Sequence, residues 1–111
     1  MKEITSEEFD GEVLNGGKVI LDFYSTECPP CEALASKFED LSRLYGNEVR
    51  FLKIFRQGNR ELAERLGVKS SPTLLFYDKG QEVAVSLPSI FDLIDYLSND
   101  PNAQTSYLSM A

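Results

Sequence analysis

The chain lacks histidine altogether and has only two cysteines among its 111 residues, and these shortages exclude several kinds of active site. A cysteine hydrolase needs a histidine to activate its thiol, so that class is excluded. A zinc or iron-sulfur site within one chain needs about four ligands, usually cysteine or histidine, so we expect no metal. The two cysteines are left with redox chemistry, an inert role, or half of a metal site shared between chains.

Positive charge is also scarce, because 11 Lys and Arg residues stand against 18 Asp and Glu residues and give a net charge of −7. A nucleic-acid surface needs clustered Lys and Arg, so we expect no nucleic-acid partner. No apolar run is long enough to cross a bilayer, so we expect no membrane association. The first eight residues lack the apolar core of a signal peptide, and we therefore expect a cytoplasmic protein.

Helix and strand signals alternate along the chain and predict a single α/β domain over residues 1–98, followed by a polar tail at 99–111. The early strands should be parallel through right-handed crossovers, and the last two should form an antiparallel hairpin around the turn at 78–80. The predicted strands are 19–24, 49–55, 73–77 and 83–85, and the predicted helices start near Ser6, at Glu32, before Leu62 and at Ser89.

The motif Cys28-Pro29-Pro30-Cys31 lies between the first predicted strand and the helical pattern that begins at Glu32. Residues i and i+3 at the start of a helix share one face, so the two sulfurs can approach to bonding distance. A helix N-terminus also stabilises a thiolate through its amides and its dipole. Two cysteines in this spacing beside a βαβ pattern favour a reversible redox dithiol.

From about Lys2 to Leu97 the chain resembles the thioredoxin family, on the stretches 21–24, 28–31, 71–74 and 78–80. The resemblance implies a thioredoxin fold, in which a central mixed sheet of four to five strands is flanked by four helices. It also implies a thiol-disulfide oxidoreductase that reduces protein disulfides and is itself reduced by an upstream reductase or another electron donor. We expect no cofactor, because no glycine-rich dinucleotide motif is present. We also expect a monomer.

The resemblance also implies roles for individual residues. Cys28 would attack the substrate disulfide, and Cys31 would resolve the mixed disulfide. Asp22 stands six positions before Cys28, where family members carry an acidic residue, and would exchange a proton with Cys31. Lys53, on the next strand, would pair with Asp22. The alternatives are that Asp22 faces water from its strand and that Lys53 is an ordinary solvated lysine.

Pro72 stands where the family has a cis-proline, and a cis bond after Ser71 would bring the Ser71 backbone close to the sulfurs. That backbone could then pair with an extended substrate segment. Sequence alone leaves open a proline that merely begins a strand. The predicted substrate contacts are Ser71, Pro72, Glu27, Pro29 and Pro30.

The chain departs from the family beside the reactive thiol, where Glu27 replaces a tryptophan and Pro29 replaces a glycine. Pro29 has no amide to donate, so the Cys31 amide is the expected donor to the Cys28 sulfur. Glu27 and Glu32 add negative charge that opposes thiolate formation. The sequence therefore leaves open whether the protein reduces, oxidises or isomerises disulfides, and whether it is instead a thioredoxin-fold binding or scaffold module.

Pro88 is a further departure, because thioredoxins have a glycine near this position that lets a partner approach closely. Together with Glu27, it leads us to expect a partner set different from that of a general thioredoxin. Slow reduction by an NADPH-dependent thioredoxin reductase is the corresponding expectation.

Overall fold

The computed structural model describes residues 1–86, with side chains described as far as residue 83. Its five strands form one mixed sheet in the order β1-β3-β2-β4-β5, which confirms the predicted fold class. The strands are β1 (Lys2–Ile4), β2 (Lys18–Tyr24), β3 (Arg50–Phe55), β4 (Thr73–Asp78) and β5 (Gln81–Ser86), and the α-helices are α1 (Pro29–Tyr45) and α2 (Arg60–Arg65).

Strand β2 occupies the centre of the sheet, parallel to β3 and antiparallel to β4. Its residues 19–23 are all buried, as a nearly continuous apolar run covered on both faces requires. Side chains alternate between the two faces, so Leu21 and Phe23 lie in the core cluster that contains α2 residues. Ile20 lies in the other cluster, beneath α1.

Helix α1 begins earlier than the apolar pattern predicts, at Pro29 rather than Glu32. A proline suits the first turn of a helix because the amide it lacks has no partner there, and Cys28 takes the N-cap position. The helix ends at Tyr45, and Gly46 is its C-cap residue. Leu34, Phe38 and Leu41 form its buried face, and this packing fixes the helix above the sheet.

The first fifteen residues differ most from the prediction. Strand β1 was not predicted, because it has three residues and only Ile4 is buried, which is too short for an alternating pattern. A capping bond forms before Ser6, since the Thr5 amide donates to the Glu8 carboxylate at 3.1 Å. The chain then makes a 3-10 turn and the π-helical segment Asp10–Leu14 instead of a regular α-helix.

The predicted hairpin between β4 and β5 is confirmed, and its tip contains Lys79 and Gly80, both with positive φ. Gly80 is required there for a second reason. A Cβ atom at this position would lie 2.8 Å from the Leu14 carbonyl oxygen. The hairpin tip therefore packs closely against the segment that precedes β2.

Three features predicted from the sequence lie outside the described residues: the last helix from Ser89, the departure at Pro88 and the tail at 99–111. Within the described part of the chain, no helix has the length and apolar character needed to cross a membrane.

Candidate active site

The two cysteines form a disulfide at the N-terminus of α1, with their Cα atoms 5.2 Å apart. The Cys28 carbonyl accepts the first hydrogen bond of the helix, from the Glu32 amide at 3.1 Å. The Cys28 sulfur accepts a second one, from the Cys31 amide at 3.3 Å. The expectation that the Cys31 amide is the donor beside Pro29 is therefore confirmed. The Cys28 sulfur is thus the N-cap acceptor of the helix.

Both cysteines are nearly buried, because Cys28 is 9% exposed and Cys31 is 6% exposed. Cys28, at the start of the helix, is thus only slightly more exposed than Cys31. The Ser71 carbonyl oxygen lies 3.5 Å from the Cys28 sulfur and covers it on one side. Access to the sulfur therefore depends on the position of the loop that carries Ser71.

This loop is held in place by a hydroxyl pair that the sequence analysis missed. Ser25 donates a hydrogen bond from its Oγ to the Ser71 Oγ at 2.5 Å, across 46 residues of sequence. The Ser71–Pro72 peptide bond is cis, the isomer that the resemblance implies. Thr73, just beyond it, donates to the Ser70 carbonyl at 2.8 Å. The sequence carries no signal for this contact, because nothing near Ser25 or Ser71 indicates that the two side chains would meet.

Asp22 is buried in the middle of the sheet, where it is 5% exposed. Its Oδ1 atom has no hydrogen-bond partner among the described residues. Burial raises the pKa of this carboxyl to about 7 from 3.8, because the charged form loses its hydration, and the positive charge of Lys53 offsets the rise only in part. The water-facing alternative for Asp22 is thus excluded.

Asp22 lies on the face of the sheet that α1 covers. Its side chain points to the opposite face from those of Leu21 and Phe23. Its partner on β4 is Leu74, which belongs to the cluster beneath α1. It stands near the end of β2 that leads to the helix N-terminus, so it shares this side of the sheet with Cys31, the first buried residue of α1. A carboxyl with a pKa of about 7 therefore lies on the face of the sheet covered by α1, the helix that carries the disulfide at its N-terminus.

Lys53 stands directly beside Asp22 in the register of β2 and β3. The predicted pairing is nevertheless wrong as a direct contact, because no ion pair within 4.0 Å joins the two among the described residues. The long lysine side chain instead places its ammonium 5.7 Å from the centroid of the Tyr24 ring. Lys53 therefore acts on Asp22 only through space.

The three residues predicted to border the reactive sulfur are all on the surface. Glu27, Pro29 and Pro30 are exposed, whereas Pro72 is buried. Glu27 adopts a φ of +52°, the left-handed region that a side chain seldom occupies. The loop before it is held by the Thr26 amide, which donates to the Gln57 side chain at 3.4 Å.

Across the described residues, no group of three or more cysteine, aspartate or glutamate side chains could hold a metal ion. What the geometry provides is a reversible disulfide, an amide donor to one of its sulfurs and a carboxyl that titrates near neutrality. These are the components of dithiol-disulfide exchange.

Comparison with known proteins points the same way. The family model described as Thioredoxin matches residues 1–89. A thioredoxin from Acetoanaerobium sticklandii is 38% identical over 84 residues, which cover 75% of this chain and 80% of the relative. Thioredoxin-1 of Schizosaccharomyces pombe is 35% identical over 78 residues, which cover 70% and 75%. A thioredoxin from Rickettsia bellii is 29% identical over 100 residues, which cover 87% and 95%.

Proposed function

Because this chain belongs to the thioredoxin family, and is therefore a thiol-disulfide oxidoreductase that reduces protein disulfides, we propose that Cys28 is its nucleophile and Cys31 its resolving residue. The observation that carries the proposal is the hydrogen bond from the Cys31 amide to the Cys28 sulfur, 3.3 Å long, at the helix N-terminus. A donor and a helix dipole aimed at that sulfur stabilise its thiolate over that of Cys31.

The proposed reaction has two exchange steps. The Cys28 thiolate attacks one sulfur of the substrate disulfide, and the other substrate sulfur leaves as a thiolate and takes up a proton. Cys31 then loses its proton and attacks the Cys28 sulfur. This closes the Cys28–Cys31 bond and releases the second substrate sulfur, which is protonated in turn. Two electrons pass from the dithiol to the substrate, and an upstream reductase or another electron donor restores the dithiol.

Asp22 is the proposed acceptor of the Cys31 proton. With a pKa of about 7, it is present in both protonation states near neutrality, so it can take up a proton and release it again. Lys53 is proposed to favour its charged form through space. The Oδ1 atom of Asp22, which lacks a hydrogen-bond partner among the described residues, supports this assignment because nothing there competes for the proton.

Substrate contact is proposed at the rim around the Cys28 sulfur. The carbonyl of Ser71, 3.5 Å from that sulfur, is an acceptor beside which an extended substrate segment can lie. Pro72 would hold this carbonyl in place, while the exposed Glu27, Pro29 and Pro30 would touch the segment from the other side.

We also propose that the protein works as a monomer in the cytoplasm. One chain carries both cysteines, so the exchange needs no second copy. A reducing compartment supplies the electrons that repeated reduction of disulfides consumes. Analytical ultracentrifugation and cell fractionation address the two points.

Insulin reduction by wild type, Cys28→Ser and Cys31→Ser tests the assignment of the two sulfurs. We expect wild type to reduce insulin, Cys28→Ser to be inactive, and Cys31→Ser to accumulate a mixed disulfide that it cannot resolve. Each variant is the control for the other, because both lose one sulfur. A trapped mixed disulfide in Cys28→Ser instead would reverse the roles, and an inactive wild type would favour a binding module.

A further inference from the structure

A polar cleft of about 440 Å³ opens between the end of β3, helix α2 and the segment that follows α2. Arg56, Arg60 and Lys69 supply positive charge to its walls, Gln57 supplies an amide, and Glu64 is the one carboxylate among its described lining residues. We refer to it as the Arg56 cleft. Its size is within the range of clefts that hold small ligands or a few side chains.

Two hydrogen bonds connect the Arg56 cleft to the loops of the active site. On one side, Gln57 accepts a hydrogen bond from the Thr26 amide at 3.4 Å, two residues before Cys28. On the other side, the Arg56 guanidinium donates to the Lys69 carbonyl at 3.0 Å, two residues before Ser71. A polypeptide that lies along the Ser71 carbonyl therefore reaches the cleft within a few residues.

The cations of the cleft have no ionic partner of their own. Among the described residues, no carboxylate lies within 4.0 Å of Arg56, Arg60 or Lys69, whereas Lys2, Arg43 and Arg50 elsewhere are all paired. The Nε atom of Arg56 is also buried, and no described residue supplies an acceptor for it. Buried donors are nearly always satisfied in folded proteins, so this one indicates an acceptor that the described part of the chain does not supply.

This local excess contrasts with the rest of the molecule. Residues 56–69 carry four cationic and two anionic side chains, in a chain whose net charge is −7. The net charge of the chain therefore repels an acidic polypeptide, whereas the local excess of positive charge at the cleft attracts it. Charge arranged in this way raises the rate of association and selects the register in which a partner binds.

We propose that the Arg56 cleft binds acidic side chains of the polypeptide whose disulfide reacts at Cys28, at positions a few residues from that disulfide. This inference rests on the proposed function and names its substrate class. Carboxylates are the matching ligands because guanidinium groups bind them with two parallel hydrogen bonds. The substrate preference of the enzyme is thus set partly by Arg56 and Arg60, outside the redox motif.

The test uses two peptides with one internal disulfide each, one flanked by two glutamates and the other by two glutamines. The second-order rate constant is measured for the prereduced protein with each peptide at low ionic strength. Wild type should react about fivefold faster with the glutamate peptide, and 0.5 M salt should remove the preference, because exposed charge pairs are weak and screened. In Arg56→Gln/Arg60→Gln the ratio of the two rate constants should fall to about one.

Lys18→Gln/Lys79→Gln is the matched control, because it removes the same charge at the other end of the sheet, where β2 begins and β4 ends. It should keep the preference. Arg60→Gln alone should reduce the ratio in part, and it leaves the hydrogen bond from Arg56 to Lys69 untouched. Equal rates for the two peptides with wild type, or an equal loss of preference in the control, would overturn the proposal.

Two further measurements distinguish this proposal from a failure of the proposed function and from a nucleic-acid site. If neither peptide is reduced, the proposed function fails, and the cleft is then tested by anisotropy of a labelled, cysteine-free glutamate peptide. That peptide should bind wild type and not the double variant. Binding of single-stranded DNA through Arg56 and Arg60, without any preference between the peptides, would overturn the proposal in favour of a nucleic-acid site.

Discussion

At the scale of single residues, Asp22 shows how burial changes chemistry. An ordinary aspartate is charged at neutral pH, but this one lies in the core with an Oδ1 atom that finds no donor among the described residues. Such a group destabilises the fold whenever it is ionised. Its presence in so costly a place is consistent with the proton transfer proposed for it.

The sign of its effect on stability follows from the raised pKa. Below pH 4 both the folded and the unfolded chain hold the proton, and there is no penalty. As the pH rises from about 4 to about 7, only the unfolded chain releases it, so the folded state loses stability, and above pH 7 the loss is constant. A rise from 3.8 to about 7 corresponds to roughly 4 kcal/mol in the free energy of unfolding.

Asp22→Asn should remove this penalty. The difference in free energy of unfolding between the oxidised variant and wild type should grow in favour of the variant by about 3 to 4 kcal/mol from pH 4 to pH 8. Urea unfolding at several pH values measures it. Asp10→Asn, at an exposed site, is the control and should change stability by at most about 0.5 kcal/mol. Parallel stability curves for Asp22→Asn and wild type would contradict the assignment.

At the scale of elements, helix α1 joins the core to the redox motif. Its first residue follows the N-cap Cys28, and its buried face packs on the sheet. Phe38 is fully buried in that face and meets the ring of Phe51 edge to face, with centroids 5.1 Å apart. Leu44 lies in the same helix but is 75% exposed. The helix therefore offers a matched pair of large apolar residues in opposite environments.

Phe38→Ala should cost about 3 to 5 kcal/mol of unfolding free energy, because it leaves a cavity between α1 and the sheet. Leu44→Ala should change it by at most about 0.5 kcal/mol. Chemical denaturation of both variants in the oxidised state measures the difference. Similar losses for the two substitutions would mean that the buried face of α1 is assigned incorrectly.

Elements with a clear hydrophobic period could be predicted from the sequence, and the others could not. The pattern of α1 and the apolar run of β2 are local, so they indicated the type of element and its place. Strand β1 has three residues and carries no such signal. The segment after Thr5 has its capping bond but contains Gly11, and it forms a π-helical turn rather than an α-helix.

The same distinction applies to the site. Cys28 and Cys31 are close in sequence, and Asp22 is conspicuous as a charge within an apolar strand, so a local reading found them. The contact of Ser25 with Ser71 joins residues 46 positions apart. The bond from Arg56 to the Lys69 carbonyl likewise depends on how α2 folds back. Contacts of this kind become visible only when the chain is folded.

At the scale of the whole molecule, the disulfide couples oxidation to folding. Closing a loop between residues separated by three positions restricts the unfolded chain. In the chain-entropy model this raises the free energy of unfolding by about 2 kcal/mol relative to the reduced protein. Loop closure therefore favours the oxidised pair in the folded protein, which lowers its reduction potential relative to the unfolded chain and supports action as a reductase, whereas stabilisation of the Cys28 thiolate acts in the opposite sense.

Urea unfolding of wild type with and without a thiol reductant tests this coupling. The oxidised protein should be more stable by about 2 kcal/mol. The double variant Cys28→Ser/Cys31→Ser is the control, and its free energy of unfolding should be the same with and without the reductant. A reduced form as stable as the oxidised form would remove this support for a reductase and leave the oxidase and isomerase readings standing.

The N-cap position of Cys28 places a backbone amide in direct contact with the sulfur at which the chemistry is proposed. The Cys31 amide donates to the Cys28 sulfur. In the proposed reaction this sulfur is in turn part of a disulfide, a thiolate and part of a mixed disulfide. Each of these acceptors attracts the proton with a different strength. The chemical shift of one backbone amide therefore reports the state of the enzyme. The sulfur that caps the helix changes its chemical state in every catalytic cycle.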